Sequence, residues 1–127
     1  MEQAVESEAQ YLKSHRRFEI SSIVYEMSSP EYQRRHWVGI GGDEEGFSAA
    51  YDLIVTEYDI PDDVRQIDNL GLNRRQWSLL CDLAVSMRLA VKLLGYSHDN
   101  AGYVGSEGWS EIVSKSRFVF ISLNSEY

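Results

Sequence analysis

The chain has 127 residues, 43% of them hydrophobic, and a single Cys, which suits one globular domain and excludes an internal disulfide framework. Its unusual property is charge: 20 acidic residues against 12 Lys and Arg give a net −8. An excess of that sign argues against direct nucleic-acid binding and against an anionic membrane surface.

The start, Met1-Glu2-Gln3, has no basic segment followed by an apolar one, and no run of 18 apolar residues occurs. With lone Cys81, these features lead to the expectation of a cytoplasmic, single-domain protein spanning residues 1–127 with no membrane segment. Residues 2–14 read as a helix with Val5, Ala9 and Leu12 on one face. Residues 17–27 fit two patterns. Ile20, Ile23, Val24 and Met27 have helical spacing, whereas Ile23, Tyr25 and Met27 alternate as in a strand. The β-branched and aromatic content favours a strand, and Ser28-Ser29-Pro30-Glu31 then reads as the turn of a hairpin whose second arm is residues 32–40.

Residues 44–58 form the cleanest amphipathic pattern, with Phe47, Tyr51, Ile54 and Tyr58 on a narrow arc. A short helix is expected over 61–69, started by Pro61 and ended by Gly71. Asn73 and Gln76 have the spacing of a capping box ahead of a long helix at 74–94. That helix carries a broad apolar face (Trp77, Leu80, Leu83, Ala84, Met87) and a second stripe of Cys81, Val85, Leu89 and Leu93. A helix apolar on two sides is expected to be central and packed on both. Residues 95–108 read as a glycine-rich loop, with a helical turn near Trp109. Residues 117–123 are apolar on both parities and read as a strand covered on both faces. The expected fold is α+β: a small, mostly antiparallel sheet, made of the N-terminal hairpin and the C-terminal strand, packed with about four helices.

No catalytic or metal motif stands out. His15, His36 and His98 lack partners at ligand spacing. The glycines at 102, 105 and 108 lack the Lys of a phosphate loop. Cys81 sits among apolar neighbours, an environment that does not activate a thiol. Neither an enzyme nor a cofactor is expected.

What remains is the distribution of charge. Residues 43–68 hold nine acids and one base, Arg65, and so account for the entire net charge. Acids in first helical turns have a local explanation, since the helix dipole favours them there. The alternative is a partner-binding face. In size, acidity and lack of a catalytic motif the chain resembles bacterial immunity proteins and other acidic antidotes of basic nuclease toxins. The resemblance implies a non-enzymatic inhibitor that occludes a basic protein. The candidate contact residues are Asp43, Glu44, Glu45, Asp52, Glu57, Asp59, Asp62, Asp63 and Asp68, with Tyr58 as an aromatic anchor. Two other readings stay open. One is an adaptor or oligomeric subunit, such as a homodimer, that uses the stripe Cys81, Val85, Leu89 and Leu93. The other is a small-ligand protein or enzyme with a site near Arg34, His36 and the 96–108 loop.

Overall fold

The structure, a computed structural model, describes residues 2–38, 45–95 and 99–125, with side chains from residue 8 onward. Every regular element in that range is helical: α1 (Glu2–Ser28), α2 (Pro30–Tyr32) running on into a π-helical segment (Gln33–Val38), α3 (Phe47–Tyr51) continued by a second π-helical segment (Asp52–Glu57), α4 (Gln66–Asn69), α5 (Arg74–Leu94), α6 (Asn100–Val104) and α7 (Trp109–Leu123).

The α+β expectation is therefore wrong, and no strand occurs among the described residues. Burial explains each reversal. In residues 17–27 the helical set Ile20, Val24 and Met27 is fully buried on one face of α1, while Tyr25 and Phe18, which strand alternation would place beside them, are exposed. Ser29 caps α2 by accepting a hydrogen bond from the Tyr32 N–H (3.2 Å), and Pro30 occupies the first turn, so the supposed hairpin turn is a corner between helices. In the supposed second arm, Gln33 and Trp37 are buried four residues apart, as one helical face requires. In residues 117–123, Val119 and Leu123 are buried whereas Phe118 and Ile121 are exposed. Intrinsic strand preference is a weak prior that helix packing overrides here.

Two expected helix starts also move. Gly46 is the N-cap of α3, so Glu45 precedes the helix, and Asp43 and Glu44 lie outside the described residues. Residues 61–65 are turns, and α4 begins only at Gln66. The long helix appears over the expected residues, with both hydrogen bonds of the capping box formed between Asn73 and Gln76.

Helix α7 packs between α1 and α5. Its C-terminal end meets the middle of α1, where Arg17 donates to the carbonyls of Leu123 (3.2 Å) and Gly71 (2.7 Å). Arg117, nearer the start of α7, donates to the Ser28 carbonyl (3.2 Å), so α1 and α7 run antiparallel. Ile20, Val24 and Met27 of α1, Leu80, Leu83, Ala84 and Met87 of α5, and Ile112, Val113 and Val119 of α7 form the core, together with Phe47, Ala50 and Ile54. The last carbonyls of a helix lack intrahelical partners. At the end of α1, buried Gln33 supplies them: its Nε2 donates to the carbonyls of Glu26 (2.8 Å) and Met27 (2.9 Å), and its Oε1 accepts from Trp109 Nε1 (2.9 Å). One side chain thus ties α1 to the start of α7.

No helix among the described residues is long and apolar enough to cross a membrane.

Candidate functional site

The acidic segment leaves the core by a simple division. Phe47, Ala50, Ile54, Val55 and Ile60 turn inward, and Glu45, Asp52, Glu57, Asp59, Asp62 and Asp68 are exposed along the same stretch. Asp59 adopts a left-handed backbone conformation (φ 52°), which Asp tolerates better than most residues and which closes the turn after the π-helical segment. Asp62, Asp63 and Asp68 meet cations. Asp62 receives Arg88 of α5 at 2.7 Å, and Asp68 faces Lys13 of α1 at 3.7 Å. Half-buried Asp63 accepts from both Nε and Nη2 of Arg65 at 2.9 Å, and this pairing holds its carboxyl below the usual range. The first two pairs link the segment to α5 and α1, and the third is internal to it. Exposed pairs of this kind add little stability but fix where the carboxylates stand.

The structure thus keeps Glu45, Asp52, Glu57, Asp59, Asp62 and Asp68 at the surface of one segment, with Asp63 partly withdrawn. Tyr58 is different. It is 8% exposed and its ring belongs to the core, so its placement does not support an anchoring role. Burial raises the pKa of its hydroxyl, and the charges of Glu19 and Glu57 raise it further.

The basic-aromatic cluster lies partly at the surface and partly in the core. Arg35 pairs with Glu31 (3.0 Å), and the His36 ring lies against Tyr32 with centroids 4.4 Å apart. Trp37 is buried and donates from Nε1 to Glu26 (3.1 Å). Arg34 is exposed. Of the 96–108 loop, residues 96–98, including His98, lie outside the described residues, and 100–104 form α6. Among the described residues no group of three His, Cys, Asp or Glu side chains is placed to hold a metal ion. Half-buried Cys81 has its thiol pKa raised by burial, opposite to what a nucleophile needs.

The expectation that α5 is covered on both sides is also corrected. Val85 and Leu89 are each 53% exposed and Leu93 is 73% exposed, with Cys81 half-buried at the edge. The stripe therefore faces outward. Sequence reasoning missed the polar nodes at Gln33 and Asn100, because neither residue belongs to a motif. Asn100 accepts from the Phe47 N–H (3.1 Å) and donates to the Trp37 carbonyl (3.3 Å), joining three helical segments. Compared with known proteins, the chain matches no protein family, no curated protein and no solved structure.

Proposed function

We propose that the chain is a non-enzymatic protein-binding inhibitor that docks a basic protein, of the nuclease-toxin type, through the exposed carboxylates of residues 45–68. The supporting observation is the exposure of Glu45, Asp52, Glu57, Asp59, Asp62 and Asp68 on a segment that buried Phe47, Ala50, Ile54, Val55 and Ile60 anchor in the core. A nuclease is basic because it must hold phosphates, and an acidic partner placed over that surface both steers the encounter and blocks the substrate. Buried Phe47, Ala50, Ile54 and Ile60 hold the segment in place before binding.

The triple variant Glu45→Gln/Glu57→Gln/Asp59→Asn tests the reading. All three side chains are exposed, and Asn tolerates the left-handed conformation at residue 59, so the fold is expected to be kept. Assayed by calorimetry against a panel of basic nuclease domains, the parent is expected to bind at least one member and the variant to bind it at least about tenfold more weakly. Equal binding by the variant, or no binding of any member by the parent, contradicts the proposal.

A second reading has an observation of its own. The outward-facing stripe on α5 is a surface for assembly.

A further inference from the structure

We propose that the outer face of α5 is covered by a second copy of this chain, in an antiparallel, two-fold symmetric helix pair whose axis passes at the level of Met87. The inference is independent of the acidic segment and its partner.

Two observations carry it. The first is the exposure of Val85, Leu89 and Leu93, which water covers in the isolated chain. The second is charge. In an isologous antiparallel pair, a residue that precedes the axis meets the one that follows it by the same number of positions. Val85 and Leu89 lie symmetrically about residue 87, and so do Cys81 and Leu93, and Asp82 and Lys92. Val85 then packs on the partner's Leu89, Cys81 comes near the partner's Leu93, and Asp82 faces the partner's Lys92.

The charge pair occurs twice by symmetry, at the two ends of the apolar contact and on the same 3–4 spacing as Val85 and Leu89. Sliding the pair by one helical turn separates Asp82 from Lys92; in one direction it brings Asp82 opposite Arg88, which is already paired with Asp62. The side chain of Asp82 is 60% exposed even while it accepts from Lys115 (3.3 Å), so the carboxylate is reachable, and Lys92 is exposed. Beside the stripe, a groove of about 250 Å³ runs between α5 and the start of α7, rimmed by Leu89 and Leu93, and offers a hole for a partner side chain. A contact made by one helix pair falls below the roughly 800 Å² per partner of a standard interface, so the dimer is concentration-dependent.

Sedimentation velocity on the full chain, from low-micromolar to near-millimolar concentration, tests this. The parent is expected to pass from monomer to dimer. Leu89→Glu is expected to stay monomeric throughout; it changes an exposed position, and an unchanged far-UV circular dichroism spectrum verifies the fold. Asp82→Lys and Lys92→Asp are each expected to weaken dimerisation by about tenfold, and the double variant to restore it to within about threefold of the parent. A parent that is monomeric at every concentration overturns the proposal, whether or not another protein is later found on this face. A dimer that survives Leu89→Glu overturns it by placing the contact elsewhere. Single swaps that weaken the dimer without rescue in the double variant overturn the antiparallel register.

Discussion

Trp109→Ala is expected to lower the unfolding free energy by about 3–5 kcal/mol, as truncation of a buried Trp does when the cavity cannot collapse. Trp109 is buried at the start of α7 and makes edge contacts with Trp37 (centroids 6.0 Å apart) and Phe47 (5.6 Å). Truncation removes both contacts and leaves Gln33 Oε1 without its buried donor. Since Gln33 also closes the end of α1, the loss reaches the α1–α7 interface as well as the local packing. A domain of this size has about 5–15 kcal/mol in total, so the variant stands near the edge of folding. Trp109→Phe retains most of the apolar area and is expected to cost less, about 1–3 kcal/mol, chiefly through the orphaned oxygen. Urea titration of both variants measures the difference. A Trp109→Ala midpoint close to the parent's contradicts the helical packing described here.

Gly46→Ala is expected to cost about 2–4 kcal/mol, for two separable reasons. Gly46 has φ 62° and ψ −121°, a region open to glycine and strained for other residues. An added Cβ would also lie 2.5 Å from Asn100 Oδ1, displacing the side chain that holds the Phe47 N–H and the Trp37 carbonyl. A double-mutant cycle divides the two contributions. In an Asn100→Ala background the overlap is gone, and Gly46→Ala should cost only the backbone strain, so the two substitutions together cost less than their sum. Strict additivity would show that Asn100 does not occupy the place described.

The sequence carried the helices whose signals were local. The capping box at Asn73 and Gln76 marks the start of α5, and the spacing of Phe47, Ile54 and Tyr58 marks the face of residues 47–58 that is buried. Residues 17–27 and 117–123 misled because the same side chains satisfy two periodicities. The decision between them lies in contacts between α1 and α7, about a hundred residues apart in sequence, such as Arg17 with the Leu123 carbonyl. Periodicity also revealed two apolar stripes on α5 without revealing which one a neighbour covers. The acidic segment was visible as composition. Its fastening by Lys13 and Arg88 was not, because both cations come from distant elements.

Steering by the carboxylates of residues 45–68 is tested most directly by the salt dependence of binding. The affinity for a basic nuclease domain would be measured between about 0.01 M and about 0.15 M ionic strength, over which the screening length falls from about 30 Å to about 8 Å. The proposed function predicts a loss of about tenfold or more, carried mainly by a slower association rate. An affinity that stays constant across that range contradicts it.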